Sequence, residues 1–458
     1  MRTSSVTHLE TKQMKSSSII TLLALAMGFI MATLDVTVVN VAVADIRVNL
    51  HMGISSATWI VDGYMLSFAS LLLIGGSLAN RYGAKYMYLV GLVCFVLASL
   101  FCSIASSGNI LIVSRILQGV GAALFMPSSL SLLAASYPNE KQRAKMFGLW
   151  SAIVSVASGI GPFVGGVLVH TLGWRSIFII NLPIGIIGIL LAYYVIPISS
   201  RQAIKLNLFN HGLGVITLAS LAFSLIEGPS YGWTAPQILS GFLITIIAAS
   251  LFIIAERNAK QPIIPFSLFY DQRFSSANIV GFLINFALFG GIFMFGLFLQ
   301  HARGATPFLA GLQLLPMMAV FVVGNLLFAK LANRFGSKLP MLISLFIASF
   351  GSFVLTFISP HTPYWMPATI YSIVNLGIGV SVPAMTTIVM QSAGREHGNI
   401  AGATLNVNRQ VGALVGVAIM SIILHSSGGW YEWAKYSFLT MGTSYLLAGF
   451  LVSYFIKK

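Results

Sequence analysis

Apolar runs of about twenty residues, separated by short polar segments, repeat along the whole chain. Tyr86–Ile104 and Ser437–Ile456 each pass without a single charged residue. About 20 apolar residues are needed for a helix to cross a ~30 Å hydrocarbon core. A membrane β-barrel would instead show shorter segments of alternating polarity. The pattern therefore predicts an all-α integral membrane protein. Its spans are expected at 19–44, 57–78, 85–106, 109–136, 144–170, 174–196, 208–228, 236–255, 275–300, 308–332, 339–358, 364–391, 400–425 and 437–456. Lys12 and Lys15 precede the first run as they would in a secretory leader, but that run is too long for a leader core and carries Asp35. It is read as the first span.

Composition removes the soluble alternatives. Only 8% of the 458 residues are charged, against about a quarter in soluble domains. The net charge of +15 would suggest nucleic acid in a soluble protein. Here the positive residues have a topological use. With the N-terminus inside, the cytoplasmic segments collect residues such as Arg81, Lys85, Lys141, Arg143, Lys145, Arg257, Lys330, Arg334 and Lys338, while the outer loops hold only Arg47, Arg175, Arg303 and Lys435. A missed or false helix would destroy this bias, so an even number of spans with both ends in the cytoplasm is expected. Nucleic acid is not expected as a partner. Cys94 and Cys102 lie eight residues apart in one helix, about 12 Å along the axis. That is too far for a disulfide, and both are read as packing residues.

An internal repeat divides the chain. Leu78-Ala79-Asn80-Arg81-Tyr82-Gly83-Ala84-Lys85 joins the second and third spans, and Leu331-Ala332-Asn333-Arg334-Phe335-Gly336-Ser337-Lys338 joins the tenth and eleventh. Pro127 with Glu140 near the end of the fourth span is echoed by Pro383 with Glu396 near the end of the twelfth. The expected organisation is a six-helix bundle over 1–200, an inserted two-helix segment over 201–262, and a second six-helix bundle over 263–458. Duplicated halves around a central cavity are the architecture of rocking transporters.

The motifs resemble those of the major facilitator superfamily, in particular its fourteen-span drug:proton antiporters, which include multidrug and quaternary ammonium compound exporters. The resemblance runs nearly end to end. It rests on Leu34-Asp35-Val36-Thr37-Val38-Val39-Asn40 in the first span, Gly76 through Lys85 in the 2–3 loop, and Arg115-Ile116-Leu117-Gln118-Gly119 in the fourth span. Gly161-Pro162-Phe163-Val164-Gly165-Gly166 in the fifth span is similar to the family's antiporter motif, and Gly173-Trp174-Arg175, Asn181-Leu182-Pro183 and Arg409-Gln410 also fit. Asn80 and Asn210 stand where the family usually carries Asp. The resemblance implies the major facilitator fold, a multi-pass protein of the cell's inner (plasma) membrane, and export of small molecules against a proton gradient. It does not name the cargo.

Ionisable groups inside a bilayer are costly and are functional candidates by default. Asp35, Asp62 and Arg115 fall at one depth, roughly 22–24 Å from the inner face at 1.5 Å per residue. Asp35 is read as the proton-exchanging carboxylate, its protonation tuned by burial and by a neighbouring cation. Arg115 cannot deprotonate usefully and is read as its tuning partner. The rival reading is a structural acid neutralised by Arg115. Asp62, flanked by Trp59 and Tyr64, suits a lipophilic cation through charge and cation–π attraction, and Gln118 is grouped with these three as a substrate contact. This makes cationic cargo the expectation.

Gly161, Pro162, Gly165 and Gly166 are expected to form a tight, bendable seam between the bundles. Gly76, Asn80, Arg81, Gly83 and Lys85 form the cytoplasmic loop motif. Glu227 is read as a solvated helix-end residue. Arg409 is expected to pair with polar groups or helix ends in the second bundle. No metal-ligand or zinc-type spacing occurs and His51, His170 and His301 fall near span ends, so neither metal nor cofactor is expected.

The partners expected are a lipophilic small molecule, protons and the lipid bilayer, with the chain acting as a monomer. No Gly-Lys dipeptide is present for a phosphate-cradling loop, and no nucleophile–base pair suggests an enzyme. A proton-coupled exporter of drugs or toxic compounds fits best. The alternative keeps the fold and exports an endogenous metabolite, a peptide or a self-made antibiotic.

Overall fold

The structure is a computed structural model that describes residues 3–137, 139–199, 207–259, 262–263, 266–305, 307–394 and 396–456. The side chain of Pro162 and the expected boundary at 200/201 lie outside the described residues. Sixteen helices run in order: α1 Thr3–Asn49, α2 Ile54–Tyr82, α3 Ala84–Ser103, α4 Gly108–Ser136, α5 Glu140–Leu172, α6 Ser176–Ile179, α7 Asn181–Val195, α8 Leu208–Tyr231, α9 Pro236–Arg257, α10 Ser267–Tyr270, α11 Gln272–His301, α12 Pro307–Phe335, α13 Lys338–Leu355, α14 Trp365–Ala393, α15 Gly398–Ser426 and α16 Trp430–Phe455. Among the described residues, 14 helical stretches are long and apolar enough to cross a membrane, in agreement with the span pattern.

Two of the departures from the sequence pattern have local reasons. The sixth span is broken at Ile180 into α6 and α7, where Pro183 lacks the N–H that would bond the carbonyl of Ile179. The fifth begins at Glu140 rather than near 144 because the Asn139 side chain accepts from Gln142 N–H at 3.1 Å and caps the helix. Asn207 and Asp271 cap α8 and α11 in the same way.

Helices α1 to α7 pack mainly with one another, through α2 and α3 on α4, and α1 on α5 and α7. Helices α11 to α16 do likewise, through α11 on α15 and α16, and α14 on α12 and α13. The α8–α9 hairpin rests on α2 and α15 through α8. Buried Glu256 fastens this hairpin. It accepts from the Asn210 side chain and from Ile263 N–H.

The repeated octets hold equivalent positions. Gly83 and Gly336 both adopt left-handed backbone, φ 96° and 71°, which favours glycine. The ammonium groups that follow tie each loop to the end of its own half: Lys85 Nζ donates to Tyr193 O at 2.8 Å, and Lys338 Nζ to Ser453 O at 3.3 Å.

The halves meet at the end of the molecule that carries these loops. Small residues permit the approach. A Cβ on Gly76 would lie 2.6 Å from the Ala403 side chain, and one on Gly148 would lie 2.9 Å from that of Ala329. Asn399 Nδ2 donates to Asn80 Oδ1 at 2.7 Å across the junction, and Asn325 Nδ2 donates to Ser155 Oγ at 2.9 Å nearer the middle.

Candidate functional site

Two sites lie near mid-height. The first is a sealed polar network inside the first half. Asp35 on α1 and Arg115 on α4 form an ion pair with no exposed side-chain surface on either. The same carboxylate accepts from Asn181 Nδ2 on α7 at 2.9 Å and from Gln118 Nε2 at 3.3 Å. Gln118 also donates to Ser99 Oγ at 2.7 Å and accepts from Arg115 Nη1 at 2.7 Å, while Cys102 Sγ approaches its Oε1 at 3.4 Å. Arg115 Nε donates to Ile60 O at 2.8 Å. Buried charges survive in apolar surroundings when they are paired and their remaining hydrogen-bond sites are filled. Among the described residues, Arg115 Nη2 and Asn181 Oδ1 find no hydrogen-bond partner.

The second site is a cavity of about 260 Å³ between the halves, walled by α1, α2 and α5 on one side and by α11, α12 and α15 on the other. Its surface is greasy, with Phe29, Trp150, Phe289 and Met318 among its lining. Hydroxyls and amides from Thr33, Ser155, Asn285, Asn406 and Gln410 are set into it.

One residue belongs to both sites. Tyr64 lines the cavity, and its ring packs against the guanidinium of Arg115, 4.5 Å from the ring centre. Tyr64 thus belongs both to the cavity lining and to the surroundings of the ion pair. The cation–π attraction couples its position to the charge state behind it.

The structure therefore sorts the candidates. It joins Asp35 to Arg115, at the common depth the spacing gives. Gln118 is fully buried in the network and does not line the cavity. Trp59 and Asp62 are also absent from the cavity lining. Trp59 instead meets Phe223 on α8, with ring centres 6.5 Å apart, and Asp62 lies within the electrostatic reach of Glu227 on the same helix. Glu227 is buried, at 4% exposure, which corrects the expectation of a solvated helix-end residue. Burial against α2 follows from the packing of the α8–α9 hairpin, which a linear pattern does not encode.

The seam expected of the antiporter motif is also corrected. Gly161 and Gly165 face α1, where added Cβ atoms would lie 1.8 Å from Thr37 Oγ1 and 3.1 Å from Val38 Cα. Gly166 meets nothing within 4 Å. The tight contact is thus within the first half. The junction between halves on α5 lies lower, at Gly148 and Ser155.

In the loop motif, Gly76 and Asn80 form the junction and Gly83 the turn, while Lys85 ties the loop to the end of α7. Arg81 is exposed, with its guanidinium 5.3 Å from the neighbouring Tyr82 ring and, among the described residues, no hydrogen bond or ion pair. Arg409 lines the cavity and, among the described residues, has no hydrogen bond or ion pair. The expected polar partner is absent because α15 turns it toward the open space.

Sequence reasoning quoted Asn181 only as part of a motif and passed over Ser99. A polar side chain at mid-span in an otherwise apolar run was the available signal for both. Among the described residues no group of three or more His, Cys, Asp or Glu could hold a metal ion.

The sequence model of the Major Facilitator Superfamily matches residues 25–417. A methylenomycin A resistance protein of Bacillus subtilis (strain 168) is 54% identical over 442 residues, which cover 96% of this chain and 95% of the relative. A methylenomycin A resistance protein of Streptomyces coelicolor (strain ATCC BAA-471 / A3(2) / M145) is 50% identical over 426 residues, covering 93% and 90%. Among solved structures, the proton:xylose symporter XylE bound to 6-bromo-6-deoxy-D-glucose superposes with a TM-score of 0.70 at 14% identity, covering 97% of this chain and 96% of that one.

Proposed function

Because the chain belongs to the Major Facilitator Superfamily and is a multi-pass protein of the plasma membrane, we propose that it is a proton-coupled exporter of lipophilic drugs. The observation that carries this reading is the sealed Asp35–Arg115 pair, linked through Tyr64 to a greasy cavity. Asp35 is the proton carrier and Arg115 its fixed counter-charge. When Asp35 takes a proton, its attraction for Arg115 falls away and the guanidinium is left to Tyr64 and to neutral acceptors. A shift of that ring changes the cavity wall. Cargo pressing on the wall acts back on the pair by the same contact, since coupling between two sites is reciprocal. Arg115 keeps its charge throughout.

The junction at Gly76, Asn80 and Gly148 supports alternating access by rocking of two halves, in the proposed division 1–200, 201–262 and 263–458. With both termini in the cytoplasm, as the charge bias supports, this junction is the inner gate and it is closed here. The cavity is then poised toward the outer side, where release of cargo and uptake of a proton take place. The chain acts as a monomer, with no catalytic residue, metal or cofactor. Asp62 and Trp59 belong to the contact with the inserted hairpin and would influence cargo along the entry route rather than in the cavity.

Two relatives bear methylenomycin A in their names, and that antibiotic is the first cargo to test. The export of a self-made antibiotic would use the same machinery. The deciding experiment uses everted vesicles carrying native protein or D35N, energised by a pH gradient. Native vesicles should accumulate methylenomycin A and lose it when the gradient is collapsed, while D35N vesicles should not. Gradient-driven accumulation by D35N equal to native would end the proton-carrier reading. A single protomer mass on light scattering of the purified, detergent-corrected complex checks the monomer.

A further inference from the structure

The charge of the cavity wall is set by one residue. No Asp, Glu, Lys or His is among its described lining residues, and the only permanently charged side chain is Arg409. The nearest carboxylate by sequence, Asp35, is flanked by cavity-lining residues Thr33, Val36 and Thr37. It is turned away, however, and neutralised by Arg115. Arg409 itself has no hydrogen bond or ion pair to any described residue. A guanidinium in a low-dielectric setting without a counter-charge is costly, and that cost is what an incoming anion relieves.

A second, independent orphan stands beside it. Asn406 lies one helical turn before Arg409 on α15, so the two share a face. Asn406 lines the cavity at 5% exposure, and its Nδ2 has no hydrogen-bond partner. The cavity therefore offers an unsatisfied amide donor next to an unsatisfied guanidinium fork. Around them is an apolar chamber that includes Phe29, Trp150 and Phe289. Planar carboxylates are matched by two parallel N–H donors of arginine.

We propose that the cavity is built for a lipophilic anion, whose carboxylate docks on Arg409 and Asn406 while its apolar body lies against the aromatic wall. This names the class of cargo for the exporter reading above and rests on it only for the direction of movement.

The test separates binding from transport. Purified full-length protein is titrated by calorimetry with three probes of one shape: 2-naphthoate, neutral 2-naphthamide and the (2-naphthylmethyl)trimethylammonium cation. Naphthoate should bind at least about tenfold more tightly than the amide, as expected for a charge-assisted hydrogen bond, and the cation should bind weakest. R409Q should bring naphthoate down to the affinity of the amide while leaving the amide unchanged. R409K should keep the order with a smaller gap, and N406A should cost naphthoate a few-fold. Equal affinities, or a cation bound more tightly than the carboxylate, would overturn the proposal in the native protein alone, whatever the variants do. So would R409Q binding naphthoate like native. If the order holds but a pH gradient moves none of the probes in vesicles, the exporter reading fails and the anion site stands. If the gradient moves all three alike and the order is absent, the reverse is true.

Discussion

The two halves treat arginine in opposite ways. In the first half, Arg115 is surrounded: Asp35 and Gln118 accept from its Nη1, the Ile60 carbonyl accepts from its Nε, and the rings of Tyr64 and Phe178 lie beside its guanidinium. In the second, Arg409 faces an open chamber with none of these. An arginine that has its counter-ion built in can serve a switch that depends on protonating that counter-ion. An arginine that lacks one is a vacancy for a ligand. With the proposed roles, the proton-carrying pair would lie in one half and the cation that meets the cargo in the other.

The comparison breaks first at Asp35. D35A leaves Arg115 buried without its counter-charge, which costs about 3–5 kcal/mol; yield and thermal stability should drop sharply. D35N keeps the shape and one of the two acceptor oxygens while also losing the counter-charge, so it should cost less stability than D35A and lose gradient-driven export. Stability of D35A equal to native would mean that the pair is not what holds Arg115.

Next in size is Gly161. Any side chain there collides with Thr37 Oγ1 at 1.8 Å and Cβ at 2.7 Å, so G161A should impair both stability and export, and T37A, which removes only the first clash, should restore part of the loss in the double variant. Absence of rescue would show that the α1–α5 contact is not the cause. At Tyr64, Y64F retains the ring against Arg115 and should export near the native rate, whereas Y64L should lose about thirtyfold, taking cation–π attraction in a dry site as about 2 kcal/mol. Equal rates for the two would remove Tyr64 as the link between the sites.

The smallest effects belong to the gate. N80A removes one hydrogen bond across the halves, worth about 0.5–1.5 kcal/mol. It should raise the accessibility of a cysteine placed at Ser131, which lines the same junction and leaves the bond intact, only a few-fold, and R81Q should change nothing measurable in that assay. A larger response at Arg81 than at Asn80 would invert the roles given to the loop motif.

The sequence was most informative where a single dimension suffices. Spans are readable because the bilayer demands a fixed apolar length, and the two octets are readable because the same turn and the same lysine anchor occur in both halves. The Asp35–Arg115 pair could be anticipated from depth alone. Depth does not give azimuth, however. Asp62 shares the level of Asp35 but sits on the side of α2 toward α8, and Gln118 points into the network rather than into the cavity. Glu256 and Glu227 lie near predicted span ends, where solvation is the default, and only the packing of the inserted hairpin buries them. That Arg409 lacks a partner is legible only once every neighbouring helix has been placed.

An unbalanced positive wall has an electrical consequence. Were each cycle to admit one proton and expel one monoanion, both movements would carry positive charge inward, so two elementary charges would cross per turnover. Each charge gains about 2.3 kcal/mol per 100 mV, so resting voltage would contribute to expulsion even with no pH difference across the bilayer. Depolarised cells would then hold their toxic acid, and potassium–valinomycin clamping would set the direction of flow.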